Sequence, residues 1–224
     1  MKKTINISLS IFLSVILLSC TAIQNANKTQ KGAGLGVAAG AILGGIIGGD
    51  IKGALIGAGI GGAAGGVVGN VMDKQADKIS EAIPGADVER VGEGIHVIFD
   101  ENSGVNFATN KSDLTSKAKL NLDKIVNVFN EFPDTNLFIQ GHTDDTGKAE
   151  YNMSLSKKRA QSVADYFTSR GISSNRFSVE GFGESQPRYD NTTPEGRSQN
   201  RRVEIAISAN KEMIEDAQAK VRQN

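Results

Sequence analysis

From residue 86 to residue 208 the apolar positions alternate between two spacings, and the changes of spacing mark out the elements. Ala86 to Val91 and Ile95 to Phe99 alternate apolar and polar residues on either side of Gly92-Glu93-Gly94, which predicts a β-hairpin. Leu114, Ala118, Leu122, Ile125, Val126 and Phe129 then recur at helical spacing and stop at Phe132-Pro133, giving an amphipathic helix. Leu137 to Gln140 reads as a short strand. A second helix is expected from Ala149 to Ser169, with Leu155, Val163, Ala164 and Phe167 inward and Gly171 just past its end as a cap. Strands follow at Phe177 to Gly181 and Arg202 to Ser208. The order implies an α/β sandwich: a mixed sheet with helices on one face, burying these stripes in one core. The tail, 209–224, is polar with a weak stripe of Met213, Ala217 and Val221, a helical extension or disorder.

Upstream the pattern is different in kind. Of the 38 residues from Gly32 to Gly69, 16 are glycine, and nearly all the others are Ala, Ile, Leu or Val. Glycine recurs every four residues at 32, 36, 40, 44 and 48, and again at 49, 53, 57, 61, 65 and 69. Such a run is poor helix sequence in water, at about 1 kcal/mol per glycine, unless close backbone packing compensates, as on small-xxx-small faces in membranes. Two apposed helices, with the turn at Asp50 to Lys52, fit this register. A flexible linker is the competing reading. Gly57-Ala58-Gly59-Ile60-Gly61-Gly62 matches a dinucleotide fingerprint, but no strand precedes it and the flanks are more glycine. Asp73 to Ala82 reads as a short polar helix leaving the hairpin, stopped near Pro84-Gly85.

The N-terminus points to export. Met1-Lys2-Lys3 is a basic start, Ile5 to Leu18 carries no charge, and Leu17-Leu18-Ser19-Cys20 ends the run. Fourteen uncharged residues are short for a span, which needs about 20. Cys20 is the only cysteine, so no internal disulfide can form. Its position resembles a bacterial lipobox, which implies acyl chains on Cys20 and, with Thr21 following, an outer-membrane destination.

Composition narrows the chemistry. Lys plus Arg and Asp plus Glu each total 25 of 224 residues, so no bulk charge favours nucleic acid. Only two histidines are present, too few with the committed cysteine for an ordinary zinc site. No Ser-His-Asp or Cys-His order suggests itself, so neither a catalytic residue nor a cofactor is expected. His96 reads as an ordinary strand residue and His142 as a hydrogen-bonding group that fixes a loop.

That loop, Gly141-His142-Thr143-Asp144-Asp145-Thr146-Gly147, joins a strand end to a helix start, a common ligand position in α/β sheets. Arg159 stands four residues after Leu155 and four before Val163, in line with inward residues. It should be liganded, or else paired within the protein or snorkelling.

Taken in order, Gly141-His142-Thr143-Asp144, Asn152, Leu155-Ser156, Arg159-Ala160, Gly181-Phe182-Gly183-Glu184, Gly196-Arg197 and Asn200-Arg201-Arg202-Val203-Glu204 resemble the OmpA-like C-terminal domain, which binds peptidoglycan. With the lipobox and the glycine run, the whole resembles the YiaD-type outer-membrane lipoproteins. The resemblance implies that Asp144 and Arg159 hold the zwitterionic end of a diaminopimelate side chain, with Thr143, Asn110, Asn152, Arg197, Asn200 and Arg201 around the groove. Ala108 departs from it, since many members carry an acidic residue after the Phe. The expected organisation is a signal peptide (1–19), a tether (20–31), a glycine-zipper hairpin (32–72), a linker helix and strand (73–93), an OmpA-like domain (94–208) and a tail (209–224). The implied role is a non-enzymatic tether, lipid-anchored in the outer membrane through Cys20, its domain facing the periplasm and binding peptidoglycan. The alternative is an envelope assembly or regulatory protein acting through self-association of the glycine hairpin or its contact with membrane-protein machinery.

Overall fold

A computed structural model describes residues 51–223, apart from 58, 59, 61, 102 and 109. Cys20, the tether and the first glycine arm lie outside the described residues.

Ile51–Gly57 (α1) and Gly62–Ala82 (α2) precede a hairpin of Asp87–Val91 (β1) and Gly94–Phe99 (β2). Ser116–Glu131 (α3), Thr135–His142 (β3), Ala149–Ser169 (α4), Phe177–Gly183 (β4), Pro194–Asn200 (α5), Val203–Ala209 (β5) and Lys211–Gln223 (α6) follow, with a 3-10 turn at Ser174–Arg176. The five strands form one sheet in the order β1-β2-β5-β3-β4, with β3 and β4 parallel and every other pair antiparallel. The C-terminal strand therefore lies between β2 and β3.

Strand alternation sorts the residues onto two faces. One carries Ile95, Val97 and Phe99 of β2, Leu137 and Ile139 of β3, and Val203, Ile205 and Ile207 of β5, all in the main core. The helices bring Leu122, Ile125 and Phe129 from α3, and Val163 and Phe167 from α4, to the same cluster. This is the mixed sheet with helical cover that the periodicity predicts. Sequence alone leaves out α1, whose Ile51 and Leu55 pack with Phe138 and Ala206 on the second face. Gly94 makes room there, since a Cβ on it would meet Leu55 Cδ2 at 2.3 Å.

Helix ends follow local chemistry. Thr115 caps α3 by accepting from Ala118 N. Gly171, at φ +91°, ends α4, with Gly171 N bonded to Thr168 O and Ile172 N to Phe167 O. That is a Schellman closure, with Ile172 buried beyond it.

The glycine-rich stretch is organised differently from the expectation. Lys52 lies inside α1 rather than in a turn. Helix α1 ends at Gly57 and α2 begins at Gly62, which takes φ +62°, and Ile60 between them is not helical. Beyond it a single helix runs through residues 69–73 without a break, so the polar segment does not begin anew at Asp73. Val68, Met72, Ala76 and Ile79 of that helix are buried in the main core, which is why it does not stop where the glycines do. The tail is helix α6, and it buries Ile214 and Ala217, while Met213 and Val221 are half-buried. No described helix is long and apolar enough to cross a membrane.

Candidate functional site

The C-terminal end of β3 and the first turns of α4 build the site, and three glycines set how closely they approach. A Cβ on Gly141 would lie 2.0 Å from Ser156 O, and one on Gly181 2.4 Å from Lys157 N. Gly183, at φ +53°, lies against Met153 N in the same way. Backbone thus packs on backbone, and α4 lies directly over β3 and β4. Ser156, fully buried, donates to Met153 O and accepts from Gly183 N, tying helix to strand.

The loop leaving β3 is held at several residues. His142 N donates to Arg202 O and Thr143 N to Gly183 O, both at 2.9 Å. Asp144 Oδ1 accepts from Thr146 N at 2.9 Å, and Asn152 donates to the carbonyls of Asp144 and Thr146 and to Glu184 Oε2. Asp144 Oδ2 accepts from Arg201 Nη1 at 2.7 Å. Burial works to raise the pKa of Asp144, but the bonds from Arg201 and Thr146 outweigh it and hold the carboxyl below its usual value. Asp144 is therefore an anion set in a fixed direction.

Arg159 is its counterpart on α4. It is only 7% exposed. Nε donates to Lys111 O at 3.1 Å, and Cζ sits 5.1 Å from the centre of the Phe107 ring. No carboxylate pairs with it among the described residues. Burial, and then the positive charge of Arg201, push its pKa down, with only partial compensation from Asp144. The internal ion pair that sequence left open is not what holds it.

Between them lies a cleft of about 420 Å³ lined by Asp144, Arg159, Thr143, Asn110, Asn152 and Arg201, together with Glu101, Phe107, Thr146 and Leu155. Thr143 is 4% exposed, and its Oγ1 has no hydrogen-bond partner among the described residues. Asn110 takes the left-handed conformation, φ +56°, and its carbonyl accepts from Tyr151 Oη at the rim. Two of the expected residues stand elsewhere. Asn200 is fully buried and binds Arg188 N, Tyr189 N and O, and Asn191 Oδ1, so it shapes the 188–200 loop. Arg197 donates to Asn191 O in the same loop.

His142 does not fix the loop through its ring. Both ring nitrogens lack hydrogen-bond partners, Nε2 is 3.8 Å from Glu204 Oε1, and the ring stacks on Phe182. Burial first, then the Arg202 charge, lowers its pKa to about 3. His96 is likewise more than an ordinary strand residue: Nε2 meets Glu204 Oε2 at 2.6 Å on the second face. Glu204 also accepts from Arg202 Nε, while the Arg202 Nη groups reach Asn200 O and Gln186 O. This buried group braces both ends of the loop behind the cleft. Alternation places 96, 142, 202 and 204 on one face, but their adjacency depends on strand order, which spacing does not give. Glu101 and Phe107 were also missed as site residues, because the loop after β2 has no periodic signal.

Among the described residues no cluster of His, Cys, Asp or Glu is arranged to hold a metal ion. The open mixed sheet with its helical cover has the OmpA-like fold. Comparison with known proteins agrees: residues 106–201 match the OmpA family and residues 1–73 the YMGG-like Gly-zipper family. The chain thus carries an OmpA-like C-terminal domain preceded by a Gly-zipper region. "Probable lipoprotein YiaD" of Escherichia coli is 35% identical over 130 residues, 58% of this chain and 59% of that protein. Peptidoglycan-binding protein ArfA of Mycobacterium tuberculosis is 40% identical over 87 residues, 39% of this chain and 27% of ArfA. The chain therefore spans less than two thirds of either relative. Among solved structures, the cell wall anchor of the T6SS from Pseudomonas aeruginosa superposes with a TM-score of 0.53 at 26% identity, covering 62% of this chain and 96% of that one. The periplasmic domain of Helicobacter pylori MotB gives 0.53 over 65% of this chain and 93% of its own, at 21% identity, a likeness of fold.

Proposed function

We propose that the protein is a non-enzymatic outer-membrane lipoprotein that holds peptidoglycan without a covalent bond and so tethers the outer membrane to the cell wall. The cleft takes the zwitterionic end of a diamino-acid side chain in the stem peptide. Its carboxylate pairs with Arg159, whose planar guanidinium suits two parallel bonds. Its ammonium goes to Asp144, and Thr143 Oγ1 supplies a further hydrogen bond. Asn152 sets the loop, and Arg201 orients Asp144. The observation that carries this reading is Arg159: a buried guanidinium facing an open cleft, with no carboxylate paired to it among the described residues.

The relatives support the same reading, since one is named a lipoprotein and another a peptidoglycan-binding protein. Acyl chains on Cys20 would supply the membrane end, each buried CH2 adding about 0.8 kcal/mol. Many such domains on one polymer act together, so modest affinity per cleft suffices. The test is co-sedimentation of the detergent-solubilised full chain with purified peptidoglycan sacculi. Wild type should pellet with the sacculi, and Asp144→Ala and Arg159→Ala should each remain in the supernatant while keeping the native circular dichroism spectrum. Binding retained in both variants would remove this site from consideration.

A further inference from the structure

The Arg201 guanidinium is divided between two carboxylates, and the division is unequal. Nη1 alone reaches Asp144, at 2.7 Å, while Nε and Nη2 both go to Glu101 Oε1, at 3.2 and 2.6 Å. The other Glu101 oxygen, Oε2, accepts from Ser198 Oγ in α5, so the carboxylate cannot turn away freely. Glu101 lies on the loop after β2 and lines the same cleft as Asp144 and Arg159. Two carboxylates and two guanidinium groups thus face the cleft, which is formally neutral when empty and stays neutral when a zwitterion enters.

We propose that Glu101 is a positioning residue for the amine half of the ligand: it holds the Nε–Nη2 edge of Arg201, so that Arg201 engages Asp144 through one bond only and the carboxylate stays able to receive an ammonium. This rests on the zwitterion reading given above and adds to it the selectivity for an amine. Without the Glu101 charge, the edge of Arg201 that it holds is left without an anion. The guanidinium then turns onto Asp144 in a two-bond pair, and the cleft gains one net positive charge. Both changes disfavour an incoming ammonium and favour a ligand that brings only carboxylates. A purely structural contact would instead affect every ligand alike.

Two probes separate these outcomes: meso-2,6-diaminopimelate, and pimelate, which has the same seven-carbon chain and both carboxylates but no amine. Each is titrated as a competitor that displaces the detergent-solubilised full chain from sacculi. Wild type should be displaced at lower diaminopimelate than pimelate concentration. In Glu101→Gln the ratio of the two half-displacement concentrations should fall by roughly fivefold or more. Adding Arg201→Gln to that variant should restore at least half of the lost ratio, because the competitor for Asp144 is gone. An unchanged ratio in Glu101→Gln, a parallel loss for both probes, or no recovery in the double variant overturns the proposal while leaving the binding site standing. Failure of diaminopimelate to displace wild type at all removes the zwitterion reading itself, and this inference with it.

Discussion

Two buried arginines in this domain have opposite surroundings, and replacing each by methionine should separate a binding residue from a structural one. Arg176, 9% exposed, donates Nη1 to Phe129 O, Nη2 to Phe132 O and Thr135 Oγ1, and Nε to Thr135 O. It closes the C-terminal end of α3, where free carbonyls and the helix dipole favour a cation. Arg159 is buried to the same degree but has one hydrogen bond and the Phe107 ring. A bond from a charged group contributes about 1.5–3 kcal/mol, and the ring about 0.5–2 kcal/mol. Against these stand an effective desolvation cost of several kcal/mol per buried ion and the repulsion of Arg201. The balance for Arg159 is close to zero, and methionine preserves the contact with Phe107. Arg159→Met should therefore change the melting temperature by no more than about 3 °C, under 1 kcal/mol in a chain of this size. Arg176→Met takes the arginine donor from three backbone carbonyls, of which Phe132 O keeps the bond from Thr135 Oγ1; at about 1 kcal/mol or more for each of the other two, a loss of roughly 2 kcal/mol, or about 4–8 °C, is expected. Sacculus binding should show the reverse order, with Arg159→Met at least tenfold weaker and Arg176→Met, assayed below its melting point, near wild type. Differential scanning calorimetry and co-sedimentation on the same preparations decide it. A melting temperature of Arg159→Met as low as that of Arg176→Met would show that Arg159 is a structural residue and that its burial says nothing about a ligand.

Three further outcomes are expected. Thr143→Val removes a buried hydroxyl that has no partner among the described residues, so urea denaturation should show unchanged or slightly higher stability while sacculus binding weakens by roughly threefold. Gly141→Ala places a methyl 2.0 Å from Ser156 O, and the resulting shift of α4 against β3 should cost about 3 kcal/mol or more in the same assay. The His142 pKa lies at about 3 when folded and about 6.5 when unfolded, so the unfolded chain binds the proton first, and stability falls as pH drops below 6.5. Between pH 7 and pH 5 this amounts to about 2 kcal/mol, and His142→Leu should lose that much less over the same interval in urea titrations.

How much the sequence reveals depends on the range of the interaction. Helix α4 is readable to the residue because its stripe, its start after Gly147 and its Gly171 cap are all local. The pair Asp144 and Arg159 is legible for the same reason: the loop and the helix that carry them are consecutive, and Arg159 falls on the inward line. Arg201 could be named only by resemblance, and its hold on Asp144 required knowing that β5 enters the sheet beside β3. Glu101 gave no signal at all, since a carboxylate after a strand usually faces water. The His96–Glu204–Arg202 group shows the same limit. Each residue alternates correctly in its own strand, but a polar residue on a strand reads as solvent-facing until the strand is found in the interior of the sheet. Helix α5 was missed because seven residues carry too short a stripe, although Thr193 caps it and Pro194 opens it.

Glycine in this chain carries two meanings that its frequency does not separate. In the Gly-zipper match the repeat of four suggested one continuous packing face from residue 49 to residue 69. In α2, Gly65, a member of that repeat, is buried where a Cβ would come within 2.9 Å of Glu93 Oε1, while Gly66, outside the repeat, faces open space. What directs this helix onto the domain is Val68, Met72, Ala76 and Ile79, at spacings of four, four and three. The glycines at 141, 181 and 183 show the opposite case. No periodicity announces them, yet each is fixed by backbone of α4 lying where a side chain would be, and the spacing of Asp144 from Arg159 across the cleft follows from that contact. The width of the candidate cleft is therefore set less by its charged residues than by the glycines that decide how near the helix can come.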